Sequence, residues 1–189
     1  VYKRQPLLSG GTGVFSGMSG FAKYGSGTTT LSVALGTLSG TAVFLVQAGT
    51  LVFAGEGEYL VGGTGSAPAF NAGATLLLDD TNTAKADRFG GATRGVTLNG
   101  ANLTLLTGSA GSTQSFGTLT LGAGASTLIN NPAGVNASSV LSFGSLSAAA
   151  GSTVQLLGAS PGSAGNTLRI SGMAQGIAGR FTVGGTALA

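Results

Sequence analysis

Five acidic residues are all that this sequence offers for acid–base or hard-cation chemistry: Glu56, Glu58, Asp79, Asp80 and Asp87. The chain has no histidine and no cysteine, which removes imidazole and thiolate ligands, His-activated nucleophiles and any disulfide framework. Glu56 and Glu58 share one face if they lie on a strand. The step from Glu56 to Asp79 is close to the repeat length described below, so carboxylates on neighbouring levels would stack and point to solvent. Lys85 and Arg88 are the cations near enough in sequence to join them. Such a group has the residue types for cleaving an anionic polysaccharide, with calcium or with a general acid–base pair. The competing assignment is a set of solvated loop residues, with Asp87 and Arg88 each reaching neighbouring backbone or charge.

Other motifs carry less. "GASPG" (158–162) fits a nucleophile-elbow pattern at Ser160, but a triad needs a histidine base, so Ser160 and Pro161 read as a turn. "GGTG" begins at Gly10 and again at Gly62, yet the aspartate of a calcium-binding nonapeptide is replaced by Phe15 and Ala67. Neither a dinucleotide-binding nor a phosphate-binding glycine loop is present. Asn102 and Asn136 open glycosylation sequons by pattern alone. No cofactor and no metal are expected, and no residue is assigned a catalytic role.

The elements that must position these residues are strands. Of 189 residues, 36 are glycine, 42% are hydrophobic and only 7% are charged, with a mean hydropathy of +0.42. Disordered chains are apolar-poor and charge-rich, so disorder is disfavoured. Glycine interspersed with Leu, Val, Phe, Thr and Ser suits short strands and tight turns. The most apolar run, Thr41 to Gly55, is interrupted by Gln47, Gly49 and Thr50 and is too short for a membrane-spanning helix. Neither a secretory signal nor membrane insertion of this segment is read from the sequence.

The opening "VYKRQ" differs from the rest. The codons GTG TAT AAG AGA CAG would encode it, and that DNA resembles the end of a transposon used in preparing sequencing libraries. Residues 1–5 are therefore expected to be adapter-derived. Without Lys3 and Arg4 the formal charge falls from +3 to +1. The remaining basic residues are dispersed, and nucleic-acid binding has no support.

A repeat fixes the architecture. The dipeptides Phe89-Gly90, Phe116-Gly117 and Phe143-Gly144 recur at one constant spacing, and another equal step reaches Ile170. "QAGTLVFAG" from Gln47 and "NAGATLLLD" from Asn71 repeat at a slightly shorter interval. A period in the twenties with strand alternation predicts an all-β fold, a single right-handed parallel β-helix with coils of roughly 22–27 residues. Phe89, Phe116, Phe143 and Ile170 would then form an inward ladder, with glycine at the bend. The solenoid is assigned to residues 6–189, with the register of 6–45 unassigned and the clearest repeats in 46–172. A β-sandwich with chance internal similarity is the competing fold.

From Asn71 to Gly172 the sequence resembles autotransporter-associated β-strand repeat proteins. The matching segments are "NAGATLLLD", the Asp87-Arg88 pair, "VTLNGANLTLL" and "GTLTLGAGASTL", with a weaker match at "VQAGTLVFAG". The resemblance implies a β-helical stalk on an exported bacterial protein, extracellular or at the cell surface, often threaded through an outer-membrane barrel and without catalytic activity. It implies a structural or adhesive role, with a host or matrix surface as partner. A phage tail-fibre spike is the alternative, and a polysaccharide lyase or glycoside hydrolase on a β-helix a further one. An uncapped fragment is expected to associate end to end.

Overall fold

A computed structural model describes residues 20–36, 43–59, 67–132, 137–158, 165–173, 181–184 and 186–187. The expectations for residues 1–5, the 6–19 register, Gly10, Gly62, Asn136, Ser160 and Pro161 lie outside them. Along the chain come β1 (Gly20–Lys23), β2 (Thr28–Leu31), β3 (Ala34–Leu35), β4 (Val43–Val46), β5 (Gly49–Ala54) and β6 (Glu58–Tyr59). Then follow β7 (Ala69–Phe70), β8 (Ala74–Asp80), a 3-10 turn (Gly91–Thr93), β9 (Val96–Leu98), β10 (Asn102–Thr107) and β11 (Ser112–Leu121). The last are β12 (Gly124–Pro132), β13 (Ser139–Ala148), β14 (Ser152–Gly158), β15 (Asn166–Ile170), β16 (Phe181–Val183) and β17 (Thr186–Ala187).

These strands sort into two large sheets. One has seven strands in the order β1-β4-β7-β9-β11-β13-β15; the other has eight, β17-β16-β14-β12-β10-β8-β5-β2. A third, two-stranded sheet pairs β3 with β6. Every pairing is parallel except the terminal β16–β17 hairpin. The chain therefore alternates between sheets and returns one level further on each time: a parallel β-solenoid. Among the described residues the shortest coil carries Thr28 to its partner Thr50, and the two longest, equal in length, carry Ala69 to Thr97 and Gly124 to Ser152. Those two slightly exceed the range expected from the sequence.

Alternation builds the core. In β8 the residues Ala74, Leu76, Leu78 and Asp80 point inward while Thr75, Leu77 and Asp79 point out. Leu51, Leu76, Leu103 and Leu128 stack in register as one inward column, each fully buried. Burying one such side chain contributes roughly 1.5–3 kcal/mol.

The phenylalanines form a second inward column. Phe116 pairs with Phe143, and Phe143 with Ile170. Phe116 and Phe143 stack with centroids 5.3 Å apart, and Phe89 lies 5.8 Å from Phe116. Phe89 sits in a turn rather than a strand, because the chain between Asp80 and Val96 leaves the ladder. The rings continue upward from Phe89 through Tyr59, Phe70 and Phe44 to Phe21. At Gly117, just past Phe116, an added Cβ would lie 2.9 Å from the Ala92 carbonyl oxygen. Close backbone approach is what this glycine permits.

Candidate functional site

The acidic residues and their cations gather around the segment between β8 and β9, but not as one cluster. Register explains the difference. Asp79 pairs with Ala54, not Glu56; Glu56 falls in the turn after β5, and Glu58 opens β6 against Ala34. The expected stack of solvent-facing carboxylates on neighbouring levels is therefore not formed, and Asp80 points the opposite way, into the core.

At the surface, Lys85 bridges two carboxylates. Its Nζ lies 3.1 Å from Glu56 Oε2 and 3.3 Å from Glu58 Oε1. Burial alone would lower the Lys85 pKa, but the hydrogen bonds and charges of the two glutamates outweigh it and hold it above its ordinary value. Glu56 is 69% exposed, so this triad is open to water. Two residues that could handle protons do converge here with a cation, and solvent screens all three.

Beneath it lies a charge pair with no exposure at all. Arg88 Nε donates to Asp80 Oδ1 at 2.5 Å, both side chains being 0% exposed. Isolated buried charges cost several kcal/mol each unless paired and fully hydrogen-bonded. Here they are. Arg88 Nη1 donates to the carbonyls of Gly55 at 2.9 Å and Gly57 at 2.5 Å; Nη2 donates to Asp79 at 3.4 Å and Thr83 at 2.9 Å. All five guanidinium N–H groups have acceptors. Asp80 Oδ2 accepts from Ser112 Oγ and, at 2.9 Å, from Gln114 Nε2. Gln114 Oε1 in turn accepts the Arg88 backbone N–H at 2.9 Å, and its Nε2 also donates to the Lys85 carbonyl at 2.6 Å. The network thus ties β5 and β8 to β11 through the segment between β8 and β9.

Asp79 and Asp87 organise backbone. Asp79 Oδ1 accepts from the N–H and hydroxyl of Thr81, a local turn. Among the described residues Asp87 is the non-glycine residue with positive φ, at 52°, a conformation aspartate tolerates. Its Oδ1 accepts the Ser115 N–H at 2.8 Å, pinning the segment to the next level. Asp87 and Arg88 each reach backbone or charge, as the loop assignment anticipates, but its solvated acids are not what Asp80 shows: it lies on β8 and is fully buried with Arg88.

Sequence reasoning missed the partners. Ser112 and Gln114 share inward parity with Phe116 in β11, just as Asp80 shares it with Leu78, and that parity is the signal. A second interior network went unread: Asn130 Nδ2 donates to the Ser139 and Thr167 carbonyls, and Asn166 Nδ2 donates to the Asn130 carbonyl at 2.8 Å. Lys23, only 2% exposed, heads an inward column in register with Val46. Its ammonium donates to the carbonyls of Gly25 and Ala48 at 2.9 and 2.8 Å, and burial lowers its pKa. Arg94 lies 5.4 Å from the Tyr59 ring centroid. Burial raises the Tyr59 pKa, with the Arg94 charge opposing.

Among the described residues there is no group of three His, Cys, Asp or Glu placed to hold a metal ion, and no helix long and apolar enough to cross a membrane. The chain matches no protein-family model, no curated protein and no solved structure. What the fold defines is the class: a parallel β-solenoid.

Proposed function

We propose that this chain is a non-catalytic, structural or adhesive stalk of a secreted or surface-displayed bacterial protein, of the kind the autotransporter-associated repeats resemble. The observation that carries the reading is where the charge goes. Asp80 and Arg88, the pair best suited by chemistry to bind or cleave an anionic sugar, spend every donor and all carboxylate oxygens on interior bonds. A general acid or base needs access to its substrate, and a stalk needs cross-links between levels. The network supplies cross-links. The outer faces are free to act as a spacer or as a surface for a host or matrix partner.

Reading the gene beyond both ends tests this. An export signal upstream and the alternating amphipathic strands of a barrel downstream are expected; phage structural genes on either side would replace the stalk with a fibre. A polysaccharide-cleaving function has one observation in its favour, the meeting of Glu56, Glu58 and Lys85. Turnover of polygalacturonate that disappears in Glu58→Gln would establish it over the stalk; the stalk reading expects no turnover.

A further inference from the structure

The outward side of the eight-stranded sheet carries a pattern that a spacer does not require. Thr28, Thr50, Thr75, Thr127 and Thr182 lie in one register file, with Asn102 and Gln155 at the two remaining levels. Every member has a neutral hydrogen-bonding group, and none is buried. At the next position of the same parity along each strand runs a parallel file of Thr30, Val52, Leu77, Thr104, Ile129 and Leu157, of which Val52 is buried. Neither file holds a charge or an aromatic ring.

Strand propensity alone favours threonine at outward positions, so the comparison with the other sheet matters. One of its outward files reads Ala22, Leu45, Ala69, Thr97, Thr120 and Ser147, with hydroxyls only in the later half. Shorter polar files occur there too, Thr118 with Ser145 and Ser115 with Ser142 and the charged Arg169. The neutral polar file that runs through every level belongs to the eight-stranded sheet.

Each threonine offers a hydroxyl, able to donate once and accept twice, beside a methyl. The strand ladder sets successive members of each file about 4.8 Å apart across the sheet, and the two files stand about 6.7 Å apart along the strands. The result is a file of neutral hydrogen-bonding groups beside a mostly aliphatic file, both held by backbone pairing, so little ordering is lost on contact. A partner that gains from it must be neutral and periodic on the same scale. Anionic polymers and membranes would need cations; a sugar chain would find no ring to stack on. Ordered water fits, since the oxygen layers of hexagonal ice repeat at distances close to these and every hydroxyl can join them.

We infer that this threonine face binds ice. The inference stands apart from the stalk reading, because a stalk with irregular or charged sides would serve equally well.

The test is partition of the full chain into slowly growing ice, together with growth of ice grains in a frozen film. Wild type should enter the ice and arrest grain growth. Thr127→Lys, one level from the middle of the file, should lose most of both effects; Thr75→Lys should repeat the loss if Thr127→Lys does not fold. Thr120→Lys, on the other sheet, should keep both, with circular dichroism checking each fold. Exclusion of the wild type from ice to the level of an inert globular protein overturns the inference, with or without adsorption to an insoluble glucan. Equal loss in Thr120→Lys and Thr127→Lys overturns it as well.

Discussion

Replacing Arg88 with alanine should be among the most damaging single substitutions in this chain, although Arg88 touches nothing outside it. The side chain makes five hydrogen bonds, one to the Asp80 carboxylate and four to carbonyls on the turn after β5, the end of β8 and the segment following it. Its loss leaves those carbonyls without their donor and leaves Asp80, 0% exposed, with Ser112, Gln114 and the Lys85 amide but no counter-charge. Breaking a buried pair from one side costs about 3–5 kcal/mol. At about 2–4 °C per kcal/mol for a chain of this size, the melting temperature should fall by roughly 6–20 °C. Arg88→Lys should recover only part of this, because an ammonium cannot span acceptors set out for a planar fork. The double variant Asp80→Leu/Arg88→Met removes both charges and should cost less than the two single losses added together, a coupling that a double-mutant cycle isolates. Urea unfolding followed by circular dichroism reads all of these. A cost below about 1 kcal/mol for Arg88→Ala, the level of a surface ion pair, would refute the reasoning.

Other perturbations probe separate parts of the account. Phe116→Ala, in the middle of the ring column, should cost about 3–5 kcal/mol in the same unfolding assay. Gly57→Ala places a Cβ 1.9 Å from the Leu31 carbonyl oxygen and should cost about 1–3 kcal/mol; Gly27→Ala meets nothing within 4 Å and should be neutral or stabilise by up to about 1 kcal/mol. Two lysines should bend the alkaline stability curve in opposite senses. The raised Lys85 pKa adds stability present below the unfolded value of 10.5 and lost as pH rises through the folded one. The lowered Lys23 pKa means the unfolded state binds more protons, so its contribution rises with pH between the folded value and 10.5. Stability against pH for Lys85→Met should therefore lack the first component, and for Lys23→Met the second. Isolated chains should also associate end to end, seen as a scattering mass that grows with concentration.

The fold was legible because its two signals are insensitive to detail. The constant recurrence of Phe-Gly and the alternation of Leu along each strand survive any error in placing corners, and together they define stacked parallel strands. The site was less legible for a physical reason. As charged residues in a chain with few charges, Asp80 and Arg88 belong by type on the surface. Parity argues the opposite: Asp80 continues the inward series Ala74, Leu76, Leu78, and Gln114 the series ending at Phe116. A buried acid on the inward side of a strand requires a partner; Arg88 is available nearby in the chain, and the fold brings Gln114 in from β11. Glu56 and Glu58 are misplaced by sequence for a different reason. The spacing from Glu56 to Asp79 reads as one coil, whereas the coil joining β5 to β8 carries Ala54 to Asp79. That slip in register moves Glu56 into the turn after β5 and Glu58 onto the short strand β6.

The most direct test of the central claim, that the Asp80–Arg88 pair is built into the solenoid, is the exchange rate of arginine side-chain Nε–H protons in the NMR spectrum of the full chain. With Arg88 fully buried and donating to Asp80, its Nε–H should be strongly protected, while that of exposed Arg169 exchanges at the solvent rate. An Arg88 Nε–H that exchanges as fast as that of Arg169 would contradict the account.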